Sequence, residues 1–315
     1  MVDVSVVVPV YKPQKTYFNE CITSVLSQDG LKFELILVDD GNDDKSYLTN
    51  EILDDPRIRV HMMDRNMGQP AALNIGISLC KGKYVALLDA DDIFFPDKLR
   101  KQFCYLEANP EIGMVYGHLV IKYGDGPIGA FNNKRSLKMP RDLASLYIGN
   151  YIARSSVMIR KDVLSLVGLQ DEHIDEVLKG GDDWDYWLRL VQHSSIAEYY
   201  SDDPLIIYRK HQNNVSNRGK QTYAFEKKCR KKALLKPHNG FGFLVLKYLF
   251  LPRAYLELKI SKYPAIAGKY QALRVERLIG LLEYPLARLI TTIFGLNNRV
   301  SKCNQQNTTI CSNID

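Results

Sequence analysis

The chain has 315 residues, 42 Lys/Arg against 36 Asp/Glu, and a formal net charge of +6. Its apolar (46%) and charged (25%) fractions are those of a globular enzyme, which excludes a disordered or fibrous chain. No apolar run reaches the roughly 18 residues of a spanning helix, and the length suits one large domain or two small ones. The charge is uneven: residues 205–315 hold 20 Lys/Arg against 5 Asp/Glu, and the first 204 residues hold 22 against 31. None of the six cysteines forms a CxxC pair, which argues against a zinc cluster. Cys21, Cys80 and Cys104 fall among apolar residues of expected helices and read as small core residues in a reducing compartment. Met1-Val-Asp-Val starts a strand at once, so no signal segment is expected.

The first 120 residues alternate strand and helix. Val4–Val8 reads as a mainly apolar strand, Phe18–Gln28 as a one-faced helix, and Phe33–Val38 as a second strand. Arg57–Met63 is a third strand, Pro70–Cys80 a helix, Tyr84–Leu88 a fourth strand, Pro96–Glu107 a helix and Met114–Ile121 a fifth strand. Apolar strands separated by helices imply a parallel sheet covered on both faces, hence a doubly wound α/β domain. The pattern then weakens. Tyr123–Lys134 reads as a loop, Arg141–Tyr147 as a short helix, Ser156–Ile159 as a strand, Asp182–His193 as a helix and Leu205–Tyr208 as an edge strand. From Lys220 the chain looks helical and basic, and Asn304–Asp315 is polar.

Three strands end in polar groups at the edge where open α/β sheets bind ligands. The first ends Val8-Pro9-Val10-Tyr11, where Tyr11 could stack on a base and the Pro9 kink would aim it; a surface tyrosine is the alternative. The second ends Asp39-Asp40-Gly41, a carboxylate for a base NH or ribose hydroxyl, or a simple turn. The third ends Asp89-Ala-Asp91-Asp92; clustered carboxylates suit a hard divalent cation seated on substrate phosphates. The alternative there is an acidic turn capping the next helix. Asn66-Met67-Gly68-Gln69-Pro70 runs into a helix whose N-terminus could face phosphate, although neither GxGxxG nor a P-loop is present. In Gly180-Gly181-Asp182-Asp183-Trp184, an apolar wall beside Asp183 could raise its pKa for general-base work, with helix capping as the alternative. Trp184, Trp187, Leu188 and Val191 share one helix face and read as core.

Taken together the pieces resemble the inverting family 2 glycosyltransferases, which have the GT-A fold. The matching segments, in order, are Val6–Tyr11, Leu37–Gly41, Asn66–Gly76, Leu88–Asp92, Ser155–Arg160, Gly181–Arg189 and Tyr208–Ser216, about residues 3–217. The resemblance implies that Tyr11 and Asp40 hold the base, with Pro9 and Asp39 shaping that pocket. Asn66, Gly68 and Asp182 fall in its donor-binding segments. Asp89 and Asp91 match the DxD motif, Asp91 as metal ligand and Asp92 as the spare. Asp183 matches the catalytic base, His211 lies near the metal and diphosphate, and Arg209 could add positive charge there. The implied cofactor is Mn2+ or Mg2+, and the implied nucleotide is UDP. Two departures stand out: Asp182 where the family often has Glu, and Leu73 where it often has Arg. No QxxRW motif is present, so a single-addition transferase is favoured over a polymerase.

Residues 1–217 are therefore expected to form a GT-A catalytic domain, and 218–315 a basic amphipathic helical extension. Phe241–Lys259 and Glu276–Phe294 are apolar on one side, carry Lys247, Arg253, Arg277 and Arg288, and contain Pro252 and Pro285. With the cluster Lys227, Lys228, Arg230, Lys231 and Lys232 they suit an anionic membrane surface. A helical cap or homodimer contact is the alternative, and nucleic acid is not expected because no reader motif accompanies the charge. The expected activity is transfer of one sugar from a nucleotide-sugar donor to a glycan or lipid-linked acceptor. The expected place is cytoplasmic, peripheral on the inner face of the cell membrane. The rivals are a nucleotidyltransferase and a non-catalytic nucleotide-sugar or membrane-binding domain.

Overall fold

The computed structural model describes residues 2–129, 142–172, 182–201, 203–212, 214, 244–246, 249–250, 275–296 and 300–302. β1 (Val4–Val10), β2 (Phe33–Asp39) and β4 (Tyr84–Leu87) are buried along their whole length. β1 lies between the other two and is parallel to both. β3 (Ile58–Met62) closes that edge and is half exposed. Side chains on β1 alternate between the two faces with the period of a strand. Val7 joins a core layer with Ile36, Leu73, Trp184 and Trp187, while Val6 and Val8 join the opposite layer with Phe18, Ile22 and Leu99.

The covering helices are α1 (Lys15–Leu26), the short α2 (Asn50–Leu53), α3 (Gln69–Leu79) and α4 (Lys98–Ala108). The Gln14 side chain accepts a hydrogen bond from Tyr17 N at 2.7 Å and starts α1, whose inner face buries Phe18, Cys21, Ile22 and Val25. Pro70 sits in the first turn of α3, where its missing N–H costs nothing.

The remaining elements are β5 (Ile93–Phe94), β6 (Ile112–Gly117), β7 (Leu119–Tyr123), α5 (Leu143–Ile148) and a 3-10 turn (Arg154–Ser156). After them come β8 (Val157–Arg160), α6 (Lys161–Val167), α7 (Asp182–His193), β9 (Ser195–Tyr199), β10 (Ile206–Lys210), α8 (Val275–Ile293) and β11 (Val300–Lys302). The main sheet has eight strands in the order β11-β9-β6-β8-β4-β1-β2-β3. It is parallel except for β8, which runs antiparallel to both β4 and β6. A second sheet of three strands has the order β5-β10-β7.

Several expectations are corrected here. The single strand at Met114–Ile121 is two strands in two sheets, broken at His118, whose buried ring hydrogen-bonds Glu198 at 2.7 Å. The edge strand at Leu205–Tyr208 is β10, the middle of the small sheet. β5, β9 and α6 were not anticipated. Cys21 and Cys80 are buried and free, whereas Cys104 is disulfide-bonded instead of a free core thiol. All four residues expected on the inner face of α7 are at most 1% exposed.

The basic cluster at 227–232, Pro252, Arg253 and 304–315 lie outside the described residues, as do the side chains of Lys247 and Arg277 and residues 130–134 of the expected loop. What is described of the tail packs on the domain. Leu246, Phe250, Ala287 and Ile290 enter the core layer of α5, and the Phe250 ring stacks on Tyr147 at 5.7 Å. α8 runs through Pro285. On its other side Leu286, Leu289 and Ile293 are about half exposed or more. β11 adds a strand to the main sheet beside β9, so this part of the extension is not purely helical.

Gly41, two residues after the end of β2, adopts φ +68, and a Cβ there would lie 2.2 Å from Arg65 C and 2.3 Å from Asn66 N. Gly41→Ala is therefore expected to destabilise the fold by about 1–3 kcal/mol, read as a fall in the denaturation midpoint. An unchanged midpoint would show that the 65–66 backbone yields freely.

Candidate active site

Because β1, β2 and β4 are parallel and adjacent, the segments following them emerge at one edge. This places Tyr11, Asp39–Asp40 and Asp89–Asp92 on the same side of the sheet, as the sequence anticipated.

Tyr11 is 41% exposed, with the Lys12 ammonium 5.2 Å from its ring centroid. Pro9 is buried in β1 opposite Val38. Asp40 is a clamp: its carboxylate accepts from Met67 N at 2.7 Å, Gly68 N at 3.0 Å and the Asn66 side chain at 2.9 Å. This holds Gly68, at φ 92, at the start of α3. Asp39 is 1% exposed and accepts from Asn42 N at 2.8 Å, Lys45 Nζ at 2.7 Å and the Tyr47 hydroxyl. Burial pushes its carboxyl up, but Lys45, Tyr47 and Asn42 outweigh burial and hold it below the usual range. Asp39 therefore shapes the 42–47 loop and has almost no surface for a ligand.

The carboxylates after β4 divide into three tasks. Asp89 accepts from Gln69 Nε2 at 2.7 Å and from Arg154 Nη1 at 3.3 Å. Burial raises its pKa, with Arg154 opposing. Asp91 lies 2.8 Å from His211 Nε2, and Asn214 Nδ2 approaches the same oxygen at 3.4 Å. Asp92 is 1% exposed, accepts from Ser155 Oγ at 2.5 Å and Arg209 N at 2.9 Å, and ties this turn to the 3-10 turn and β10. Burial, then repulsion from Asp91 and Asp89, pushes its pKa well above the usual carboxylate range.

Arg209 has a different task from the one expected. It is fully buried; its guanidinium donates to Asp91 O at 3.0 Å, Gly124 O at 2.8 Å and Glu20, and lies 4.1 Å from the Tyr17 ring centroid. With Nε, Nη1 and Nη2 all engaged in the protein, it fixes the backbone under Asp91.

Asp182 and Asp183 open α7 and face different partners. Asp182 accepts from Arg154 Nη2 at 2.5 Å. Asp183 accepts from Asn150 Nδ2 at 3.0 Å and from Trp184 N at 2.7 Å. Burial raises the Asp183 pKa to about 7; Arg154 opposes this, and Asp182 and Asp89 add to it. Asp183 and Asp89 line one cavity of about 350 Å3, together with Asn150, Tyr151, Arg154 and Tyr208. A carboxylate poised near neutrality at a cavity wall can accept a proton there.

Arg154, Asn150 and Gln69 were missed. Arg154 precedes the matched segment Ser155–Arg160 by one residue, and nothing in its spacing announces a bridge between β4 and α7. No group of three or more His, Cys, Asp or Glu able to hold a metal occurs among the described residues. Asp91 and His211 do bring one carboxylate oxygen and one imidazole nitrogen together. A donor pair of that size suits a divalent cation whose shell is completed by substrate phosphates.

The mainly parallel α/β sheet with this carboxylate-lined edge is a fold of the GT-A type. Residues 5–166 match the family described as "Glycosyl transferase family 2", and the chain belongs to that family. Asp183 and His211 lie beyond the matched stretch. An uncharacterized glycosyltransferase of Methanocaldococcus jannaschii is 30% identical over 193 residues, 60% of this chain and 64% of that protein. The succinoglycan biosynthesis protein ExoO of Rhizobium meliloti is 29% identical over 187 residues, 58% of this chain and 53% of that protein. The chain thus spans slightly under two thirds of the first of these relatives and about half of the second. Among solved structures, S. aureus TarS 1-349 in complex with UDP-GlcNAc superposes with a TM-score of 0.60 at 16% identity, covering 90% of this chain and 81% of that one.

Proposed function

We propose that this protein is a metal-dependent inverting glycosyltransferase that moves one sugar from a UDP-sugar to a hydroxyl of a glycan or lipid-linked saccharide. The observation that carries the reading is a single cavity with donor-side Asp89 on its wall and a carboxylate of pKa about 7, Asp183, on the same wall. Support comes from the family and from two named proteins. ExoO is a succinoglycan biosynthesis protein, and TarS is crystallised with UDP and with UDP-GlcNAc.

In this reading Tyr11 stacks on the base, and the Asp40-clamped turn at Asn66–Gly68 forms the pocket floor. Asp89, held by Gln69 and Arg154, accepts a hydroxyl of the donor. A divalent cation, Mn2+ or Mg2+, held by Asp91 and His211 supplies neutralisation of charge on the leaving diphosphate. Asp183 takes the proton from the acceptor hydroxyl, whose oxygen attacks the anomeric carbon as the bond to the diphosphate breaks, inverting its configuration.

In this reading the protein binds peripherally at the inner face of the cell membrane. No helix among the described residues is long and apolar enough to cross a membrane. The exposed row Leu286, Leu289 and Ile293, within a region rich in Lys and Arg, supports an anionic lipid surface. The homodimer alternative uses the same row.

The test is thermal stabilisation by a panel of nucleoside diphosphates with and without Mn2+. UDP at about 100 times its Kd is expected to add about 2.7 kcal/mol of stability, and only with metal present. No shift with any nucleotide would overturn the reading in favour of a non-catalytic domain.

A further inference from the structure

Arg154 is a buried cation among the carboxylates of the cavity, and the reaction as described gives it no chemical step. Its side chain is 8% exposed. One arm of its guanidinium donates to Asp89 at 3.3 Å and the other to Asp182 at 2.5 Å, while Nε is buried without a hydrogen-bond partner. The turn that carries it is tightly braced. Ser155 accepts from Asp89 N at 3.1 Å and donates to Asp92. Gln102 Nε2 donates to Ser156 O at 2.8 Å, and the buried Lys98 donates to Val157 O at 3.2 Å.

Asp89 lies two residues beyond the end of β4, and Asp182 begins α7, 93 residues later in the numbering. The strand and the helix are tied at this point by the two arms of one planar group. A lysine carries the charge but has no rigid fork to span two carboxylates. We propose that Arg154 is the positioning residue of the site: by tying Asp182 to Asp89 it sets Asp183, the next residue on α7, relative to the donor end of the cavity. The inference rests on Asp183 being the base.

The same charge governs the ionisation of that base. Among the described residues, the charged groups facing Asp183 are Arg154 from the 3-10 turn, Asp182 from its own helix and Asp89 from the turn after β4; Tyr151 and Tyr208 line the same cavity. Of these, removing the cation leaves two carboxylates, both raising the Asp183 pKa.

The test compares Arg154→Met and Arg154→Lys. In R154M, kcat is expected to fall about 100-fold, the cost of a base displaced by about 1 Å, with little change in donor KM. The acidic limb of its kcat–pH profile is expected to move to higher pH. In R154K the limb stays near that of the unaltered protein, and kcat recovers only in part because the fork is gone. An unmoved limb in R154M, or kcat losses that merely follow the folded fraction, would overturn the proposal. If R154M does not fold, R154K decides alone: full kcat overturns the proposal, and reduced kcat at unchanged donor KM supports it. NMR titration of 13C-labelled aspartates reads the Asp183 shift without turnover. A shift there in a protein that transfers no sugar would leave the electrostatic hold of Arg154 on Asp183 standing and reject the transferase reading, and with it the positioning role.

Discussion

Asp183→Asn is expected to lower transfer about 10²- to 10⁴-fold, the usual contribution of a general base, while metal-dependent nucleotide binding persists. The carboxamide keeps the shape and can still meet Asn150 and the Trp184 N–H, but it cannot take a proton. Only the ionised carboxylate acts, so activity in the unaltered protein is expected to rise with pH through about 7. Stability runs the other way. The folded value of about 7 lies above the value of about 4 for an unfolded aspartate, so between these the folded state binds the extra proton. The contribution of Asp183 to stability is complete below about pH 4 and is lost as pH rises through about 7. Asp183→Asn is therefore expected to raise the melting temperature most at pH 8 and least at pH 4. A variant that loses nucleotide binding, or one that is less stable at pH 8, would make Asp183 a structural cap of α7.

Asp91→Ala is expected to abolish the metal dependence of nucleotide binding. Asp91 is the member of the Asp89–Asp92 group that faces His211 at 2.8 Å and is not committed to Arg154 or Ser155. Removing it leaves one imidazole, too few donors for a hard cation that favours oxygen. Calorimetry of UDP binding with and without Mn2+ reads the effect directly. Equal metal-stimulated binding by D91A and the unaltered protein would move the metal to another residue. The fold is expected to survive, because Arg209 holds the backbone at Asp91 through its carbonyl, which the substitution leaves in place.

The site was legible where function depends on strand ends. Val6–Val8, Leu35–Val38 and Tyr84–Leu88 are continuous apolar runs, and each is followed within three residues by a polar side chain or carboxylate. Parallel pairing of adjacent strands then brings Tyr11, Asp40 and Asp89 to one edge with no further information. Roles within that group were not legible. Asp39 and Asp40 are neighbours of the same type, yet one is spent on Lys45 and Tyr47 and the other on the 66–68 turn. The family resemblance offered Arg209 as added positive charge near the diphosphate, beside His211. On a strand, residues i and i+2 share a face, but Arg209 is on β10 and His211 lies beyond its end. Its guanidinium reaches Glu20 on α1 instead.

By itself the sequence determined the apolar periodicities, and with them the layered α/β domain, the buried face of α7 and the edge of the sheet that carries polar residues. These are local properties, readable from spacings of two and of three to four residues. Only the tertiary structure decided that β8 runs antiparallel in a parallel sheet, since a strand buried on both faces shows the same apolar run in either direction. It also decided that the chain breaks at His118 to build a second sheet, and that Arg154 stands between Asp89 and Asp182. Those outcomes depend on contacts between residues tens of positions apart, set by how the layers close on one another, and no local spacing encodes them.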